Sequence, residues 1–402
     1  MLGRKTQRAV ADLVARVLSV RPLAEGLDVP ARVVPVNREG VVVPPGMPAA
    51  QGRALAKLLE RVASRAGVAG LAPAFDAVFD DLQVFERVIS RRLALTEWVT
   101  RASVVPVDLL HEVDRTVAEV VRGSFEAFAR KETVLSSDGV PLNVYAAGEG
   151  DEAAVLIPAC GMPAVLTETW LRYLARDRRV LTWESRGLFG ASGHCGDHRV
   201  DIAAQASDLF TTLDHHGVSR AHVVGLCGGA VIALAAAAER PERVSSLSLW
   251  HGAYGFADRS LETKHQHDLI ELMTTAARSR PSARVVHAAF CQAMLTSTPA
   301  DVAHLVLYPY ATAELLYRYC RLNTGITSTD VGPYLPRVDQ PTLVVTSRDD
   351  DIAHPAGSER VAAHLAAGRL RVEPHGDHIA LFSAADALLK VAADFMTEHR
   401  AS

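Results

Sequence analysis

The 402-residue chain is 49% hydrophobic and 22% charged, with a formal net charge of −4, the balance of an ordinary soluble enzyme with enough apolar material for a sizeable core. No basic run is interleaved with aromatic residues, which excludes the electrostatic footprint of a nucleic-acid partner, and no apolar stretch is long enough to span a membrane. Five cysteines, at positions 160, 195, 227, 291 and 320, form an odd set without CxxC spacing, which argues against a disulfide framework and a zinc knuckle. The length suggests about two to three domains. Met1 to Val20 alternates charges and aliphatic residues at helical spacing, without the continuous apolar core of a secretory signal. A cytoplasmic location is therefore expected.

Residues 1–130 read as a helical region. Apolar residues recur at three- and four-residue spacing over Lys5 to Val20, Pro48 to Ala66, Ala72 to Ala94 and Pro106 to Ala129, with a loop-like stretch from Arg21 to Gly46. The region holds no Gly-rich phosphate loop and no cluster of metal-type ligands. It reads as an appendage that packs on the remainder of the chain or on a second copy in a homodimer, or else as a lid.

From Glu132 the pattern changes to strands, and residues 131–402 read as one α/β domain. Glu132 to Leu135 and Pro141 to Ala146 form a predicted hairpin through Asp138-Gly139. Buried strands are predicted at Ala153 to Ile157, Arg179 to Trp183, Ala221 to Val224, Val244 to Leu249, Thr342 to Thr346 and Leu370 to Glu373. Helical patterns between most of them imply right-handed crossovers and a largely parallel sheet. Residues from about 255 to 336 interrupt the strands with a helical insertion rich in polar and aromatic side chains.

Between the strand ending at Val224 and an alanine-rich helix from Ala230 stands Gly225-Leu226-Cys227-Gly228-Gly229. A turn this tight holds its central residue in a strained backbone conformation and requires small residues two before and two after it. The segment resembles the nucleophile elbow Gly-x-Ser-x-Gly of the α/β-hydrolase superfamily, with Cys227 at the serine position. The resemblance covers roughly residues 130 to 400. It implies a mostly parallel sheet with helices on both faces and a helical cap made from the insertion. It also implies that Pro158-Ala159-Cys160-Gly161-Met162 supplies an oxyanion-hole N–H, from Met162 or Gly161, to act beside that of Gly228. The loop Trp183 to Ser192 matches a structural loop of the superfamily.

His378, in Gly376-Asp377-His378 before the final helix, stands where the superfamily places its general base, with His375 in reserve. Asp350 is the expected acid, counted from Ser347 and by matching Ile352 to Pro355; Asp351 and then Asp349 are the alternatives. Some relatives carry the acid after the strand that follows the elbow helix, but Trp250-His251-Gly252-Ala253-Tyr254 has no carboxylate. His194-Cys195-Gly196-Asp197-His198 and His265-Gln266-His267 lack a complete ligand set at zinc spacing, so neither a metal nor another cofactor is expected.

A cysteine at the elbow implies an acyl-cysteine intermediate, a thioester that yields to amines and carbon nucleophiles more readily than to water. The expected substrate is a small-molecule or carrier-bound ester or thioester, consumed by transfer, cyclisation or hydrolysis. Cysteine variants of the superfamily include dienelactone hydrolases and the polyketide-pathway enzymes that close tetramic or tetronic rings. A related set in tetronate pathways instead eliminates acetate, which makes a lyase the second reading. A non-catalytic binding member is the third.

Overall fold

The computed structural model describes residues 3–40, 49–96, 98, 110–190, 198–262, 264–382 and 384–399. Pro48, residues 106–109, and Ala191 to Asp197, with His194 and Cys195, lie outside the described residues.

The chain divides into two compact units, the first made of Met1–Phe128 together with His287–Leu315. Its longer helices include α1 (Arg4–Ser19), α2 (Arg21–Gly26), α3 (Ala49–Ala66), α4 (Val84–Leu93) and α5 (Leu110–Gly123). Val10, Leu13, Val14 and Val17 form the buried stripe of α1, which packs against α3 and α5. Two short strands, β1 (Ala31–Val33) and β2 (Leu71–Pro73), pair in parallel within the region read as helix and loop. Three residues are too few for alternation to register as a strand pattern. The helical expectation over Ala72 to Ala94 is likewise broken by β2 and by a 3₁₀ turn at Phe79–Asp81. α4 starts at Val84 because Gln83 and Glu86 form a capping box, with the Gln83 N–H donating to Glu86 Oε2 at 2.7 Å. Part of the predicted cap belongs to this unit: the short helix Ala303–Val306 packs on α2 and α4.

The second unit comprises Ala129–Val286 and Leu316–Ser402. It is built on an eight-stranded sheet of order β10-β9-β8-β7-β5-β6-β4-β3. The strands are β3 (Arg130–Leu135), β4 (Pro141–Ala147), β5 (Ala153–Ile157), β6 (Arg179–Trp183), β7 (Ala221–Leu226), β8 (Val244–Trp250), β9 (Thr342–Ser347) and β10 (Gly368–Glu373). β3 and β4 form the antiparallel hairpin and β4 runs antiparallel to β6; all other pairings are parallel. β5, β7, β8 and β9 are buried along their whole length, as strands covered on both faces must be. The principal helices of this unit are α6 (Glu168–Leu174), α7 (Ile202–His215), α8 (Gly228–Glu239), α9 (Lys264–Ala277), α10 (Arg280–Ser297, which continues into the first unit), α11 (Ala313–Thr327, which begins there), α12 (Pro355–His364) and α13 (Asp386–Glu398). α8 packs on β5, β7 and β8, so the chain leaving β7 turns at the middle of the sheet.

The loop from Trp183 onward is tied down by Arg186, whose buried guanidinium holds Asp208 through Nη2 at 2.6 Å and Nε at 2.8 Å and reaches Asp138 at 2.8 Å. A fork paired with a carboxylate in this way fixes a loop in place. The carboxyl ends of the parallel strands then deliver five segments to one edge of the sheet. They are Pro158–Met162 after β5, Cys227 after β7, His251 after β8, Asp350 after β9 and His378 after β10.

Candidate active site

Cys227 sits between β7 and α8 with φ 55 and ψ −120, a conformation that costs an L-residue energy and persists only where its surroundings enforce it. The enforcement is visible in the neighbouring backbone. A Cβ on Gly225 would lie 2.6 Å from the Gly229 carbonyl oxygen and 2.7 Å from Ala230 Cα, and one on Gly229 would press on the Ile157 and Pro158 carbonyls. The Cys227 N–H donates to Trp250 O at 2.9 Å, and Cys227 O accepts from Ala230 N–H at 3.0 Å. The side chain is thereby held at the amino terminus of α8, where unpaired N–H groups favour negative charge. Cys227 is partly exposed, whereas Cys160, Cys291 and Cys320 are buried. Burial pushes the Cys291 thiol up to about 11 and that of Cys320 up to about 12. Burial, and then the neighbouring Cys227, raises that of Cys160 further.

His378 is 5% exposed and Asp350 2%. His378 Nδ1 donates to Asp350 Oδ2 at 2.9 Å, which leaves Nε2 as the ring nitrogen not committed to Asp350. Asp350 Oδ1 accepts the N–H groups of Ile352 at 3.0 Å and Ala353 at 2.8 Å. Burial opposes the carboxylate charge, but hydrogen bonds from His251 and His378 outweigh it and hold Asp350 well below the usual carboxylate range. Burial likewise opposes protonation of His378, yet the charge of Cys227 and the hydrogen bonds to Asp350 and Cys227 raise it to about 10. Ser347, which stands where the superfamily has glycine, donates its hydroxyl to Gly376 O and so ties the end of β9 to the loop that carries His378.

The reserve residues are placed elsewhere. His375 faces Asp349 across 3.3 Å with both side chains exposed, and Asp351 is also exposed. Of the three oxyanion candidates, Gly228 opens α8, so its N–H has no intrahelical acceptor. The Gly161 N–H donates to Ser185 Oγ at 2.9 Å and the Met162 N–H to Ala159 O at 3.1 Å. His267 Nδ1 takes a hydrogen bond from Arg259 at 3.1 Å.

A second histidine shares the acid. His251 Nδ1 lies 2.7 Å from the same Asp350 Oδ2 that His378 uses, and the two rings meet edge to face with centroids 5.9 Å apart. The sequence pointed to the segment after β8 as an alternative place for the acid, but its lack of a carboxylate drew attention away from the histidine standing there. His251, Asp350 and His378 are the group of potential metal ligands found among the described residues. Their N···O separations of 2.7 and 2.9 Å are those of hydrogen bonds. Ligands of a tetrahedral ion at about 2.0–2.1 Å would stand about 3.3 Å apart.

A family described as the alpha/beta hydrolase fold matches residues 155–385. The chain belongs to this family. As an α/β-hydrolase it is 28% identical over 247 residues to RutD of Variovorax paradoxus, which is named as a carbamate hydrolase, covering 60% of this chain and 90% of that one. It is 26% identical over 267 residues to the human serine hydrolase BPHL, covering 64% and 84%. Among solved structures it resembles the meta-cleavage product hydrolase CumD of Pseudomonas fluorescens, with TM-score 0.53, 18% identity, and 67% of this chain and 98% of that one covered. It also resembles an enol-lactonase of Burkholderia xenovorans, with TM-score 0.53, 20% identity, and coverage of 66% and 100%. At these identities the solved structures speak to the fold alone. No described helix is long and apolar enough to cross a membrane.

Proposed function

We propose that this α/β-hydrolase acts on ester or thioester acyl groups through Cys227 as nucleophile, His378 as base and Asp350 as the acid that orients it. The observation that carries the reading is the position of Cys227 at the strained elbow, on the same edge of the sheet as a histidine whose Nδ1 is bonded to a buried carboxylate. With the thiol proton already held on His378, the sulfur attacks the carbonyl carbon. The developing oxyanion is received by the Gly228 N–H, and by Gly161 or Met162 if either releases its present acceptor. A well-aimed donor of this kind is worth about 3–4 kcal/mol. Collapse breaks the C–O or C–S bond, and the leaving group takes the proton back from His378. The acyl-cysteine then passes to a nucleophile. The hydrolase names of RutD and BPHL put water among the acceptors, while the thioester character of the intermediate favours an amine or carbon nucleophile, as in the condensing and ring-closing steps of polyketide-type biosynthesis.

Intact-mass spectrometry after mixing with short N-acetylcysteamine thioesters and p-nitrophenyl esters tests the proposal. An acyl adduct that forms within a turnover and is absent from Cys227→Ala is the expected result. Cys227→Ser keeps partial activity, since His378 can activate a hydroxyl at the same place. An alanine variant with native-like turnover, and no adduct on the parent, would remove the covalent step and favour a lyase in which His378 takes a proton and a carboxylate such as acetate departs.

A further inference from the structure

His251 stands at the end of β8 with φ 47, a left-handed conformation for a residue that is not glycine, and its N–H donates to Val345 O at 2.8 Å. It repeats, one strand over, what Cys227 does after β7: a chain leaving the sheet is bent through a conformation costing about 1–3 kcal/mol to aim one side chain. That side chain is 5% exposed and ends on Asp350 Oδ2. An ionised carboxylate only accepts, so both His251 and His378 present a protonated Nδ1 to one oxygen, while Oδ1 is filled by two backbone N–H groups.

We propose that His251 is a positioning residue that holds Asp350 Oδ2 and sets how much of its negative charge reaches His378. The inference rests on the reading of Cys227, His378 and Asp350 as the reacting set and adds a fourth member to it. While His378 holds the thiol proton, its Nδ1–H must lean on an oxygen whose other lone pair is already engaged by His251. That second donor anchors the carboxylate against rotation and takes part of the stabilisation an unshared oxygen would give to the imidazolium. Without the His251 donor, Asp350 lends its charge to His378 alone, and His378 keeps its proton to higher pH. The titratable groups facing this cluster come from several elements: Cys227 at the head of α8, Cys160 after β5, His251 after β8 and Asp350 after β9. Asp349, Asp351, His375 and Asp377 lie on the same two loops toward solvent.

The test needs no substrate. Alkylation of Cys227 by iodoacetamide, followed by peptide-resolved mass spectrometry between about pH 6 and 12, has an alkaline limb where His378 gives up its proton. His251→Phe moves that limb upward by about 0.5–1 pH unit, part of the worth of one charge-assisted hydrogen bond. His251→Asn, whose amide N–H falls near the place of Nδ1, restores it. His251→Gln, with no donor at that place and little change in bulk, follows the phenylalanine variant and serves if the latter does not fold. In the parent protein, two low-field imidazole N–H proton signals are expected, both lost in Asp350→Asn. A limb that stays put in both the Phe and Gln variants, or an Asn variant that shifts as they do, overturns the role of His251. His378→Ala in the same assay keeps the two readings apart: a profile matching the parent would sink the Cys227–His378 pairing itself, whatever His251 does.

Discussion

Asp350 holds His378 through Nδ1 and the Cys227 charge acts on the same ring, so its loss should be felt in both chemistry and stability. On the proposed roles, His378→Ala removes the proton carrier and is expected to lower acylation of Cys227 by on the order of 10⁵–10⁶. Asp350→Asn, which leaves the carrier but turns one acceptor into a donor, costs roughly ten- to a hundredfold less; stopped-flow release of p-nitrophenol measures both. The same geometry makes stability depend on pH. His378 is raised to about 10 from an ordinary value near 6.5, so its contribution is complete below about pH 6.5 and is lost as pH climbs toward 10. Asp350 is depressed, so its contribution is present above the ordinary carboxylate range near pH 4 and is lost on further acidification. Melting temperatures followed from pH 3 to 10 should therefore fall at both ends. In Cys227→Ala, which lacks the main group raising His378, the decline above pH 6.5 should be shallower; an unchanged alkaline slope would mean that Cys227 does not hold the proton on His378.

The elbow is an element whose sequence and geometry explain each other. Gly225 and Gly229 are required by backbone atoms rather than by flexible side chains: a Cβ at Gly229 would come within 2.9 Å of Pro158 O and closer still to Ile157 O. Gly229→Ala must push α8 away from β5 and is expected to destabilise by about 3 kcal/mol, lowering Tm by roughly 6–12 °C in calorimetry. A variant with native Tm would show that the turn is softer than its contacts indicate. Such a local constraint is written in neighbouring residues, which is why the elbow, the buried strands and the loops after β9 and β10 were legible in the sequence. The His251–Asp350 bond joins residues 99 apart, through strands that are neighbours only because β8 and β9 pair. No spacing rule exposes that contact. β1 and β2 escaped notice for another reason, since three-residue strands carry almost no periodic signal and depend on their pairing with each other.

At the scale of the whole molecule, the division of the chain does not follow its linear order. Residues 287–315 leave the α/β sequence and group with Met1–Phe128. There the helix Ala303–Val306 packs on α2 and α4, and a Cβ placed on Gly26 would lie 2.9 Å from the Tyr308 ring. His304, buried in the same helix with no partner for Nδ1, is pushed down to about 3 by burial and then by the Arg92 charge, and so remains neutral at pH 7. Truncation to residues 129–402 therefore removes the surface that Val306, Tyr308 and their neighbours pack against, each apolar side chain of this size being worth about 1.5–3 kcal/mol when buried. The truncated chain is expected to bind a hydrophobic dye such as ANS and to self-associate in sedimentation velocity. A second truncation that also replaces residues 287–315 by a short Gly-Ser linker should do so much less, because the segment left without its partner is gone. If the simple truncation proves monodisperse with a native Tm, the segment does not depend on the first unit, and residues 1–128 are an appendage that the α/β unit can shed. If only the double deletion behaves well, the two pieces form one folding unit built from distant parts of the chain, and the insertion between β8 and β9 is as much a product of the amino-terminal region as of the catalytic sheet.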